Sequence, residues 1–111
     1  MYYLYTLKSN AISTVPKFFV GKTPSICSTF NKHNTDLCEF STKFAPWSII
    51  DLRESTRFTH FELVNRVLYK MKLHGVENVR GGPWTATELC PVEVKILQDI
   101  IKSDKIKETL F

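Results

Sequence analysis

No apolar run in this sequence approaches the length of a bilayer span, so a membrane-crossing helix is not expected. Cysteine is scarce and odd in number. Cys27, Cys38 and Cys90 stand at irregular spacing with no signal peptide ahead of them, and they read as reduced, buried thiols of a cytosolic or nuclear protein rather than as a disulfide framework. Cys27, His33 and Cys38 offer three metal-ligand types, yet they match no common zinc spacing and lack a fourth member. Repeats and low-complexity segments are also missing, which leaves no basis for a solenoid. Glycine occurs only four times, at 21, 75, 81 and 82.

What is present suits a compact fold. A chain of 111 residues fits one domain, and such a chain buries roughly 65% of the surface its unfolded form exposes. The hydrophobic fraction of 43% and eight phenylalanines supply a real core. The net charge of +4 and pI near 9.0 tilt the expected partner toward nucleic acid or another polyanion. Arg66, Lys70 and Lys72 form one basic group, Arg80 stands alone, and Lys102, Lys105 and Lys107 form another. Asp and Glu are interspersed among them, so a plainly solvated surface is an equal reading.

Residues Tyr2 to Lys8 are dense in aromatic and β-branched types and predict a strand, with Tyr3, Tyr5 and Leu7 on one face and Leu4 and Thr6 on the other. Lys17 to Lys22 predict a second strand, antiparallel to the first. A helix follows from Pro24 to near Asn34, with Ile26, Phe30, Cys27 and His33 turned inward. Thr35 to Pro46 reads as a loop, and Trp47 to Arg53 as a third strand. From Ser55 or Thr56 a long helix is expected to reach His74 and stop at Gly75, its apolar stripe made of Phe58, Phe61, Val64, Leu68 and Met71. Gly81, Gly82 and Pro83 predict a sharp turn, after which Trp84 anchors the chain. The last helix, about 90 to 108, carries Val92, Ile96, Leu97, Ile100 and Ile101 as its apolar face. The expected whole is a single α+β domain, a small three-stranded, mostly antiparallel sheet packed by helices with an additional C-terminal helix.

The segment KFFVGKTPSICSTFNKH, from Lys17 to His33, is the organising stretch. An apolar strand passes through a glycine into a helix, a junction that aims backbone donors and a helix dipole at one spot, with Lys22 adding charge. This geometry suits a phosphate, and it equally suits a buried turn that binds nothing.

YLY at Tyr3 to Tyr5, FVGKT at Phe19 to Thr23 with its following helix, KFAPWSIIDLR, and HGVENVRGGPW together resemble the GIY-YIG endonuclease superfamily. The resemblance is to a variant met in large cytoplasmic DNA viruses, and it covers most of the chain. It implies a domain that cuts nucleic-acid phosphodiesters with a bound divalent metal, using tyrosine to help activate water, a helix arginine to stabilise phosphate charge and a glutamate to hold the metal. Three of those positions are changed. The tyrosine of the second strand motif falls at Phe19, the helix arginine at Thr29, and the metal glutamate near Arg66. Losses at such groups commonly reach about 10² to 10³ fold each. Tyr5, Lys22 and His33 are what remains of the site.

Three functions follow as expectations. The first is a degenerate nuclease-like domain with no catalytic residues and no cofactor, binding DNA or RNA through Lys22, Arg66, Lys70 and Arg80 in the host cytoplasm or the virion. The second is a protein-interaction or virion structural module, possibly a homodimer, marked by Phe40, Phe44, Trp47 or Phe111. The third is an active nuclease with magnesium or manganese held by Glu62 together with Asp51, Glu54 or Asp36. His60 and His74 are expected to be structural or solvent-facing.

Overall fold

The computed structural model describes residues 2–11, 15–34, 38–56 and 60–102. Its strands are β1 (Tyr2–Ser9), β2 (Phe18–Thr23), β3 (Trp47–Ser55) and β4 (Val79–Gly81). Its helices are α1 (Ile26–His33), α2 (Glu39–Lys43), α3 (His60–His74) and α4 (Pro91–Ile101), with a single 3₁₀ turn at Val76–Asn78. One sheet takes the order β3-β1-β2-β4, so the mixed α+β class is as expected and the strand count rises from three to four. β1 pairs antiparallel with both β2 and β3, whereas β4 runs parallel to β2, with Phe18 beside Val79 and Val20 beside Gly81.

Period-two alternation in β1 divides the interior between the two sheet faces. Leu4 shares one face with Phe18, Val20 and Val79, under Val67, Leu68 and Met71 of α3 and Leu97 of α4. Tyr5 and Leu7 share the other with Phe19, Phe40 of α2 and Trp47, and Ile26 and Phe30 of α1 pack against that group. Trp47 is fixed at both ends of its hydrogen bonding: its indole N–H donates to the Ser41 carbonyl at 2.8 Å and its backbone N–H to Asn34 Oδ1 at 2.7 Å.

Several elements depart from the sequence reading. α2 lies inside the expected loop, where five residues are too few to show a helical period. α1 begins at Ile26 rather than Pro24, because Thr23 Oγ1 takes the Ser25 N–H at 3.1 Å and holds the chain in a bend first. In α3 the inward row runs through Leu63, Val64, Val67, Leu68 and Met71. Phe61 stands about a quarter turn away from the centre of that row and is 77% exposed; Phe58 falls outside the described residues. In α4 only Leu97 is buried, with Val94 and Ile101 packed beside it, while Val92, Ile96 and Ile100 are exposed. Two apolar rows lie side by side on that helix, and only one has α3 and the sheet beneath it. Cys27 and Cys90 are exposed and Cys38 half-buried, rather than all three being core thiols.

Gly75 ends α3 as expected, at φ +98° with its N–H on the Met71 carbonyl. At the later turn Gly81 and Trp84 exchange backbone hydrogen bonds of 2.7 and 3.0 Å, and Gly82 has φ +56°. The strand that leads into this turn, β4, is what the sequence reading lacked. No helix among the described residues is long and apolar enough to cross a membrane.

Candidate functional site

Only some of the positions that carry the nuclease resemblance converge. Tyr5, Phe19 and His33 meet on the α1 and α2 side of the sheet, where the Tyr5 hydroxyl and His33 Nε2 are 2.7 Å apart and the Phe19 ring lies 4.5 Å from the imidazole, centroid to centroid. Gly21 sits opposite Tyr5 in the β1 and β2 register, and a Cβ there would collide with the Tyr5 phenol. Its role is therefore to let a tyrosine cross the strand. Thr29 pairs with Thr23 through their hydroxyls at 2.7 Å.

Burial decides what this cluster can do. His33 is wholly buried and Tyr5 nearly so. Loss of solvent pushes the His33 pKa down to about 4 and raises that of Tyr5, with Cys38 adding to the second effect. Both groups are neutral at pH 7, and no substrate phosphate reaches them. The pair is a polar bolt in an apolar face. His33 Nδ1 has no hydrogen-bond partner among the described residues, which makes the Tyr5 bond the imidazole's one hydrogen bond there.

Arg66 and Lys70 lie on the other face. Both approach Asp51 Oδ2, at 3.3 and 2.9 Å, and Arg66 is only 3% exposed. These two cations occupy Asp51, one of the three carboxylates offered alongside Glu62 for an atypical metal site. Among the described residues no three His, Cys, Asp or Glu side chains gather to hold a metal; Asp36 lies outside those residues. Glu62 is half-buried on α3 and Glu54 is exposed on β3. Lys22 is half-buried, its Nζ 5.5 Å from the Tyr2 ring centroid.

Arg80 corrects the surface-contact expectation most plainly. It is 2% exposed. Its guanidinium donates to the carbonyls of Ala86, Val76, Val79 and Thr87 at 2.7 to 3.1 Å and stands 5.3 Å from the Phe40 ring centroid. It therefore ties the 85–90 segment to β4. Arg66 departs from the expectation in the same way, being turned into the fold instead of toward a phosphate. Phe40 and Trp47 are core residues and Phe44 is half-buried, so none of the three is a free aromatic patch; Phe111 lies outside the described residues.

A second site lies where α2, the 3₁₀ turn, β4 and α4 meet. It is a pocket of about 350 Å³. Lys17 and Lys43 hold their Nζ atoms 5.4 and 5.5 Å from the Phe44 ring centroid, and Arg80 and Phe40 line the interior. Leu89 and Val94 make an apolar wall, and Glu77 and Glu88 also line it. Lys17 donates to Asn78 Oδ1 at 2.7 Å. Burial, then the nearby charges of Arg80 and Lys43, lower the Lys17 pKa, while Glu77 acts in the opposite direction. Sequence reasoning passed over Lys17 and Lys43. The one local signal was the Lys43–Phe44 pair; Lys17 joins it only through the sheet.

Compared with protein-family models, with curated proteins and with solved structures, the chain matches none of them.

Proposed function

We propose that this chain is a non-cleaving, nuclease-like domain that binds nucleic acid. The observation that carries the reading is the contrast between a closed cluster and an open pocket. The tyrosine and histidine left over from the cleavage motif are sealed in the core, whereas Lys17 and Lys43 flank a half-buried aromatic ring at an open pocket. Cations interleaved with aromatic side chains are the usual means of gripping a single strand. The net charge of +4 favours the same partner. The contact residues differ from the four read in the sequence: Lys17 and Lys43 replace Arg66 and Arg80, whose guanidiniums are committed inside the fold. A viral source, which the resemblance of the motifs suggests, would make the host cytoplasm or the virion the place where the domain acts.

The test is a binding and cleavage assay on labelled single- and double-stranded DNA and RNA, with and without magnesium or manganese, across a salt series. The reading expects salt-sensitive binding, a log–log slope of about −1.4 for two phosphate contacts on a single strand, and intact substrate throughout. Metal-dependent cutting that is lost in Glu62→Gln would contradict it.

A protein-binding role has one specific observation in its favour. β3 is an edge strand, and Ile49, Ile50 and Leu52 on it are exposed. Under that reading sedimentation gives a concentration-dependent dimer, and a charged substitution at Leu52 abolishes it.

A further inference from the structure

We propose that the pocket bounded by Lys17, Lys43 and α4 is a subsite for one unpaired nucleotide, its phosphate on the two ammonium groups and its base against the apolar wall. This rests on the nucleic-acid reading above and names the part of the strand that is recognised.

The size is the first argument. Small-ligand pockets run from about 300 to 1,000 Å³, and 350 Å³ is room for one nucleotide and not for a duplex. The charge is the second. Three cations and two carboxylates line the pocket, Lys17, Lys43 and Arg80 against Glu77 and Glu88, so the lining carries a net charge of +1. A site built for a dense polyanion has no use for the two carboxylates. A nucleotide does, because beside its anionic head it carries base amino and sugar hydroxyl donors that glutamates accept.

Hydrogen-bonding capacity is the third argument. An ammonium has three donors, and the Lys17 hydrogen bond to Asn78 engages one of them. Lys17 and Lys43 both approach the Phe44 ring, and burial, then the like charges of Arg80 and Lys43, lower the Lys17 pKa. An anion between the two lysines relieves that repulsion. Arg80, already committed to four carbonyls, serves as fixed positive charge at the back of the pocket. Leu89 and Val94, which also line the pocket, give a flat base an apolar surface.

The experiment titrates the full chain with AMP, UMP and inorganic phosphate, and then measures a labelled single-stranded 12-mer and its duplex with AMP as competitor. The proposal expects saturable one-to-one binding of a nucleoside monophosphate, at least tenfold tighter than phosphate alone. AMP displaces the single strand. Lys43→Gln, an exposed position that leaves folding intact, weakens AMP and single-strand binding about tenfold each. Val94→Trp, which crowds the pocket, has the same effect on the fraction that circular dichroism shows to be folded. Strand binding that AMP does not displace and Lys43→Gln does not weaken would overturn the pocket while leaving the nucleic-acid reading intact. AMP binding without any strand binding would overturn the nucleic-acid reading instead. Phosphate binding as tightly as AMP would overturn the role given to the base.

Discussion

The Tyr5–His33 cluster lies within one face of the sheet, whereas the Lys17–Lys43 pocket lies at the β4 edge, between α2 on that face and Leu89 and Val94, which pack with the core of the other; the two have opposite fates. In the first, Phe19 and the packed helices exclude water from a phenol and an imidazole, and both become neutral structural groups. In the second, at the β4 end of the sheet, an opening of about 350 Å³ remains, lined by a half-buried Lys17 and an exposed Lys43. Residue identity alone would rank them the other way, since tyrosine and histidine are the residues of acid–base chemistry. Access to solvent, set by what packs around each, assigns the roles.

Substitutions separate the two regions. His33→Ala leaves a cavity and a Tyr5 hydroxyl without its partner, and is expected to cost roughly 3 kcal/mol in a urea unfolding experiment. Strand binding by the folded fraction stays unchanged. If binding falls while stability holds, the closed cluster is a site after all.

Acid acts on the same region with nearly the same magnitude. The His33 pKa is about 4 in the folded state against an ordinary value near 6.5. A histidine depressed by folding contributes its full stability above about pH 6.5, and that contribution is lost as pH falls toward 4, because the unfolded chain takes up the proton first. Roughly 3 kcal/mol should disappear over that window by chemical unfolding at stepped pH, and His33→Phe should flatten the slope. Gly21→Ala pushes a methyl group into the Tyr5 phenol and is expected to cost about 1 to 3 kcal/mol, again without a change in binding.

At the open region the effects reverse. Lys17→Gln and Lys43→Gln each weaken single-strand binding about tenfold, or about 1.4 kcal/mol, and each lowers the salt slope by about 0.7. Fluorescence anisotropy across a salt series reads both. The smallest effect sharpens the comparison most. Lys22→Gln, at the opposite end of β2 from Lys17, should change binding less than about threefold, although the sequence offers it as one of four phosphate contacts.

The sequence carried the elements whose signals are local. Alternation in Tyr2 to Lys8 gave both faces of β1, and the run from Leu63 to Met71 with Gly75 behind it gave the body and the end of α3. β4 has three residues, and its strand character comes from parallel pairing with β2, a contact no local window holds. The outward row of α4 was misread because Val92, Ile96 and Ile100 have the same helical spacing as an inward one; only the partner surface distinguishes them. Arg66 and Arg80 were read as surface charge for a related reason. Their partners, Asp51 and the carbonyls of Val76, Val79, Ala86 and Thr87, are brought close by the sheet and the 85–90 segment. The departures of Phe19, Thr29 and Arg66 from the motif the chain resembles can be read one by one, but the open pocket cannot, because Lys17 and Lys43 meet only in the folded chain.

The central claim is that nucleic acid engages the pocket and leaves the Tyr5–His33 cluster untouched. Amide chemical-shift mapping during titration with a single-stranded 12-mer tests it most directly. The account predicts perturbations centred on Lys17, Lys43, Phe44, Leu89 and Val94, with Tyr5, Phe19 and His33 unmoved. Shifts centred on Tyr5, Gly21 and His33 would contradict it and make the buried cluster the functional site.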